Sequence, residues 1–379
     1  MKNNRAGKFI MEGISDSAYK SFVPNFLPPS PPLNYDDELI YLVSEANRFI
    51  GRLDEITDIL IAPNFFVYMY ARQEATLSSQ IEGTQATFSD LIKKEAGIND
   101  ELPDDVKEIE NYINALEYGL KRLEKLPLSL RLIREIHSIL LKDVRGQHKC
   151  PGEFRKSQNW IGGHSINTAS YIPPAPQYLN GLLDNFEKFL HADDKTHPLI
   201  KTALIHSQFE IIHPFLDGNG RIGRLLINFY LAHKGILSKP TMYISKFFKK
   251  HRKQYYEYLN NITVSGDFER WIKFFLEGII EMSKEAVNKA RKIKELRETH
   301  TVKVQSLLRI SENAIKLYNN LFNKPTVAVG DVCNMLDLTY PNAKKMIDKF
   351  IDLGILKLFV ERKRNKIYVY NDYLQLFSD

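Results

Sequence analysis

Cysteine is scarce in this chain: two in 379 residues, Cys150 and Cys333, far apart and without metal-ligand spacing. That excludes a disulfide framework and a cysteine zinc site, and makes a reducing cytosol the expected compartment. Long apolar runs are missing as well. No stretch of roughly 18 apolar residues offers a bilayer span, and the N-terminus lacks a signal-peptide core, so a soluble, cytoplasmic protein with no membrane contact is expected. Charge of one sign is not in strong excess. The formal net charge is +6, and residues 301–379, with 12 Lys and Arg against 8 Asp and Glu, hold four of those six charges. The C-terminal part therefore leans mildly towards an acidic partner. Glycine is sparse too, 19 in all, yet three stand at 218, 220 and 223.

The remainder is ordinary globular material. At 44% hydrophobic the chain can bury a sizeable core, and its length suggests two or three domains. The three glycines lie in His213–Arg224, HPFLDGNGRIGR, between two apolar stretches of helical period, 199–212 and 222–232. Helical flanks remove the hairpin reading of Asp217-Gly218-Asn219-Gly220. Glycines on both sides of Asn219 let successive N–H groups converge, and the following helix start adds a positive dipole end, so an anion such as a nucleotide phosphate belongs there. Arg221 and Arg224, three apart, share a helical face and can converge on phosphate oxygens. A carboxylate beside phosphates calls for a cation between them, which makes Asp217 a candidate Mg²⁺ ligand. His213 is placed to deprotonate an incoming hydroxyl.

This stretch resembles the Fic signature HPFx[D/E]GNGRxxR at every fixed position. The resemblance implies an all-helical Fic core that moves AMP from ATP to a Ser, Thr or Tyr hydroxyl of a target protein. It makes His213 the general base, Asp217 the Mg²⁺ ligand and Gly218, Asn219 and Gly220 the anion hole. Arg221, Ile222, Gly223 and Arg224 complete the phosphate segment, with Arg224 reaching the γ-phosphate. Upstream, Ser78-Ser79-Gln80-Ile81-Glu82-Gly83 resembles the family's inhibitory motif [S/T]xxxE[G/N]. Ser78 and Glu82 project from one face of a helix expected over 65–81, and Gly83 ends it. Glu82 would pair with Arg224 and deny it to the γ-phosphate.

In chain order, the prolines of residues 1–35 predict an extended strap. Helices are expected from Asp36-Asp37, with Leu39, Leu42, Val43, Ala46 and Ile50 inward, and over 104–126 and 129–142. Residues 152–174 read as a β-hairpin; in Fic proteins such a flap aligns the target by strand addition, with Trp160, Ile161, Ile166, Tyr171 and Ile172 on its faces. Tyr256 and Asn260, four apart, offer a ring to stack an adenine and an amide to read its edge. Residues 279–308 form a charged helical stretch. The last 70 or so residues, three helices and a hairpin with the basic tip Arg362-Lys363-Arg364-Asn365-Lys366, resemble a winged helix with 341–352 in the recognition position.

The fold class expected is mainly α: a Fic-type helical bundle with a β-hairpin flap, plus a C-terminal winged-helix domain. The expected divisions are 1–100 with the inhibitory helix, 101–280 catalytic, 281–308 linker and 309–379 winged helix. The partners implied are ATP and a hydroxyl-bearing protein target; DNA through the winged helix and a second copy of the chain stay open. Two other functions stay open: a DNA-binding regulator whose Fic body senses nucleotide, and a Fic enzyme of other nucleotide chemistry such as AMP removal.

Overall fold

The computed structural model describes residues 5–14, 18–95, 102–306, 312–360 and 366–377. They divide into two compact units, Met1–Gly51 with Ala71–Ser283, and Arg52–Tyr70 with Lys284–Asp379. The chain opens with strands β1 (Gly7–Glu12) and β2 (Tyr19–Pro24), paired antiparallel. The sequence predicts only an extended strap here; prolines forbid helix, but they begin at Pro24, leaving 7–23 free to pair.

Helices follow: α1 (Asp37–Asp58), α2 (Pro63–Ile81), α3 (Phe88–Glu95), α4 (Val106–Leu123), α5 (Leu130–Leu140), α6 (Pro176–His191), α7 (Pro198–Ile212), α8 (Asn219–His233), α9 (Ser245–Lys250), α10 (Arg252–Ser265) and α11 (Phe268–Gln305). The start of α1 is as expected: Asp36 Oδ1 accepts from Leu39 N at 2.8 Å, and Leu39, Leu42, Ala46 and Ile50 are buried, while Val43, at the edge of that face, is half-buried. In the first unit α7 is central. It is apolar on nearly every face, and a helix with that pattern is one surrounded by others. Along it run α8, α6 and α10, while α4 and α5 pair with each other and pack on α8. No helix among the described residues is long and apolar enough to cross a membrane.

The segment expected to be a β-hairpin flap is paired only once. Ile161 and Tyr171 form one antiparallel bridge, through Ile161 N to Tyr171 O at 2.9 Å and Tyr171 N to Ile161 O at 3.2 Å. Gly162 and Gly163 both turn through φ +71°, and a 3-10 turn at Ile166–Thr168 consumes the residues a second strand pair would need. Pro173 and Pro174 then lack the N–H groups to extend the ladder.

In the second unit α11 contributes its residues from 284 onward, so the expected linker 281–308 is continuous helix as far as Gln305. Then come α12 (Glu312–Leu321), β3 (Thr326–Ala328), α13 (Val329–Leu336), α14 (Tyr340–Asp352), β4 (Lys357–Val360), β5 (Ile367–Val369) and α15 (Asn371–Gln375). The three strands form an antiparallel sheet in the order β3-β5-β4. Phe65 and Phe66 belong to this unit and meet Tyr373 and Phe377 at ring separations of 5.4 to 6.2 Å. Of the expected basic tip, Arg362 to Asn365 lie outside the described residues.

Candidate active site

The site is built where α7 stops and α8 starts. Pro214 cannot continue α7, and His213 closes it in a left-handed conformation, φ +50°. Arg155, almost fully buried, fastens this turn from outside: its Nε donates to His213 O at 2.9 Å, Nη2 donates to Pro174 O, and Arg155 N donates to Pro214 O at 2.9 Å. His213 keeps part of its surface open, but the rest of the ring is enclosed, and burial pushes its pKa down to about 4. Its Nδ1 lies 3.3 Å from Glu210 O. A carbonyl only accepts, so Nδ1 carries the proton and Nε2 keeps its lone pair, the state a general base needs.

The loop is closed by its own amide. Asn219 accepts from Phe215 N and donates to Phe215 O, both at 2.8 Å, and Asn159 donates to the same carbonyl. The Asn219 side chain therefore shapes the loop, and only its backbone N–H is left to face an anion. Gly218, at φ +78°, makes the turn into α8. Ile222 is buried, and Gly223 O accepts from His206 Nδ1 at 2.9 Å.

Glu82 and Arg224 meet. Arg224 Nη2 donates to Glu82 Oε1 at 2.7 Å, its Nε to Ser78 Oγ at 2.8 Å and Nη2 to Ser78 O at 3.0 Å. Burial opposes both charges, but each offsets that cost for the other, so Glu82 titrates below and Arg224 above its usual range. The carboxylate also lies over the first turn of α8: a Cβ placed on Gly220 would come within 2.1 Å of Glu82 Oε1. A side chain there would displace the carboxylate that sits against the helix N-terminus. Gly83, φ +98°, ends α2 in a Schellman turn, with Thr84 N bonded to Ser79 O at 3.2 Å.

Arg221 is placed otherwise than its face suggests. It is fully buried, and Nη1 donates to Glu108 Oε2 of α4 at 3.2 Å, while Nη2 stands 3.5 Å from Asp217 Oδ1. Glu108 Oε2 also accepts from Thr84 Oγ1 at 3.0 Å and pairs with Arg145 at 3.5 Å. Arg145 in turn donates to Glu82 O at 3.2 Å. Burial explains the choice: a guanidinium inside the fold needs a fixed carboxylate whether or not nucleotide is bound.

On α10, Tyr256 is 40% exposed, its ring 5.3 Å from the Arg252 guanidinium, and Asn260 is exposed one turn on. Burial raises the titration of the Tyr256 hydroxyl, and the Glu82 charge adds to the rise. Tyr255 faces inward, donating to His206 Nε2 at 3.0 Å. Glu108, Arg155, His137, His206 and Glu74 carry no motif; the one signal each gives is a polar residue at a core position of an apolar helix or loop.

The helical body thus brings together a helix N-terminus faced by a carboxylate, a neutral histidine and two arginines paired with acids. Residues 40–121 match the family model described as Fic/DOC family N-terminal, and 127–231 the one described as Fic/DOC family. The chain belongs to the Fic/DOC family. It is 31% identical over 253 residues to a protein adenylyltransferase Fic of Drosophila mojavensis, covering 63% of this chain and 47% of that one. With its counterpart in Culex quinquefasciatus it is 36% identical over 152 residues, 40% and 27% of the two chains. The chain thus spans less than half the length of these curated relatives. Among solved structures, a Fic family protein of Desulfovibrio desulfuricans aligns with TM-score 0.61 at 17% identity, covering 89% of this chain and 97% of that one. A Fic domain containing signaling protein of Bacteroides thetaiotaomicron gives 0.54 at 20% identity, 65% and 97% covered. Both share the fold.

Proposed function

We propose that this chain is a self-inhibited protein adenylyltransferase, moving AMP from ATP to a Ser, Thr or Tyr hydroxyl of a target protein and of itself. The observation that carries the reading is the Glu82 carboxylate, ion-paired to Arg224 and seated over Gly220 at the start of α8. It occupies with a side chain the place where a phosphate anion would gain most. In the reaction the target oxygen bonds to the α-phosphorus, the bond to the bridging oxygen breaks and pyrophosphate leaves. The hydroxyl proton passes to His213 Nε2, and Arg224, released from Glu82, takes the γ-phosphate. Such a site works by alignment and charge stabilisation. Transfer of label from α-labelled ATP to protein in a lysate tests the activity; footprinting of DNA without transfer would favour the nucleotide-sensing regulator instead.

Asp217 fits a magnesium site of the kind completed by substrate. No group of three or more metal-ligating side chains occurs among the described residues, and Mg²⁺ is commonly held by one carboxylate, phosphate oxygens and water. One Asp217 oxygen accepts from Gly218 N at 2.6 Å, and the side chain remains a third exposed. Bound there, the ion would neutralise developing phosphate charge. Asp217→Ala is expected to lose about a hundredfold in Mg²⁺-dependent transfer; unchanged rate and metal requirement would remove this role.

The depressed His213 pKa has its own consequence. A base must be neutral, and a ring with pKa about 4 is neutral well below 6.5. The pH profile of kcat/KM is therefore expected to stay flat as pH falls through 6.5 and to drop only near 4; an acid limb at 6.5 would contradict the enclosed ring.

For the C-terminal unit, the order of α12, β3, α13, α14, β4 and β5 supports a winged helix. On α14 Lys344 is paired with Asp348, which dilutes its positive face. A gel-shift titration across salt concentrations checks for the steep phosphate-driven slope that DNA binding requires.

A further inference from the structure

His137, in the last turn of α5, belongs to no motif, yet both its ring nitrogens are committed to loop backbone. It is fully buried. Gly152 N donates to its Nδ1 at 2.8 Å, and Nε2 lies 2.9 Å from Asp217 O. A backbone N–H only donates, so Nδ1 is the acceptor; Nε2 therefore carries the hydrogen and donates to the carbonyl. Its ring stacks on Phe215 at 3.7 Å and 6°.

The Asp217 carbonyl and the Gly218 N–H belong to one peptide plane. On one side His137 holds the oxygen of that plane; on the other, its N–H donates to Asp217 Oδ1 at 2.6 Å. The orientation of the carboxylate is thus tied, across a single peptide unit, to the imidazole. A glycine at φ +78° offers no steric barrier to rotating the plane; Arg221 Nη2, 3.5 Å from the same Asp217 oxygen, holds the carboxylate but not the peptide. Gly152 extends the link to the segment leading into the flap.

We propose that His137 is the positioning residue of the metal end of the site, fixing the Asp217–Gly218 peptide so that the Asp217 carboxylate is aimed at a divalent cation. The proposal rests on the reading of Asp217 as the metal ligand.

The test is Mn²⁺ binding to the full chain with a non-hydrolysable ATP analogue, followed by electron paramagnetic resonance, beside analogue affinity without metal. His137→Phe keeps a ring on Phe215 but loses both hydrogen bonds. It is expected to weaken Mn²⁺ binding about tenfold, as loss of a ligand's outer support does, with metal-free nucleotide affinity unchanged. His137→Gln, which keeps a donor for the carbonyl, is expected to recover most of that loss. If the Phe variant does not fold, His137→Leu takes its place in the same comparison. Wild-type Mn²⁺ affinity in the Phe or Leu variant overturns the proposal, as does a Gln variant no better than either, or an equal fall in metal-free nucleotide affinity. Asp217→Ala separates the two failures. If it loses Mn²⁺ while the His137 variants do not, only the positioning role falls; if it binds Mn²⁺ normally, the ligand reading falls and the proposal with it.

Discussion

Replacing Glu82 with glycine is expected to raise AMP transfer by about two orders of magnitude. The carboxylate holds Arg224 at 2.7 Å and lies over Gly220, so on the proposed function it would compete with the triphosphate for a guanidinium and for a helix N-terminus at once. Nucleotide beside it would then sit in a slack pose, and a displacement of roughly 1 Å at the reacting phosphorus is enough to cost about a hundredfold. Glu82→Gly removes the competitor and leaves Ser78 to hold Arg224 through Nε and Nη2. Adding Arg224→Ala to that variant should abolish the gain, which separates a released clamp from a loosened helix. Transfer from α-labelled ATP, measured beside wild type, decides it: no gain in Glu82→Gly, or a gain that survives Arg224→Ala, would end the clamp reading.

The second large effect is expected at His213. His213→Ala in the Glu82→Gly background should lose about a thousandfold in AMP transfer, the usual share of a positioned base. ATP affinity should hardly change, because the ring touches no phosphate ligand; its hydrogen bond runs to Glu210 O. Single-turnover transfer and equilibrium nucleotide binding, measured on the same protein, separate the two. Transfer at the parent rate would remove His213 as base, while parallel loss of binding would make it a structural prop of the loop.

The parts of this site that are legible in the sequence are those whose spacing is local. Ser78 and Glu82 share a helix face because they are four apart, and residues 213 to 224 cluster because two helices cannot be continued through Pro214 and Gly218. Arg221 shows the limit of that reasoning. Its neighbours in sequence suggest a phosphate, while its partner is Glu108, 113 residues away. His137 and Asp217 are 80 residues apart. Neither pairing leaves a periodicity to read, and only the crowding of α4 and α5 against α8 brings them together. The flap failed for a different reason. Glycines at 162 and 163, β-branched and aromatic residues around them and two closing prolines predict a short hairpin, but the glycines' positive φ and a 3-10 turn leave length for a single antiparallel bridge.

Glu74 sets the way in which the clamp can open. Two turns before Glu82 on α2, it is fully buried, and its carboxylate accepts from Ser245 Oγ, from Ser245 N at 3.1 Å and from Tyr112 OH at 3.3 Å. Lifting the helix away as a rigid rod would strand all of these buried groups, at about 1–3 kcal/mol for each left unpaired. Unwinding the last turn costs far less. Glu82 N and Gly83 N reach back only three residues, to Ser79 O and Gln80 O, and the turn beyond is tied by Thr84 and by the exposed Arg145. Under the proposed inhibition, activation would take the form of fraying, a local opening of the kind that hydrogen exchange resolves residue by residue. The amides from Glu82 to Thr84 should trade their hydrogens for deuterium well before those around Glu74. An activator need capture no more than one loosened turn, a target the size of a short peptide.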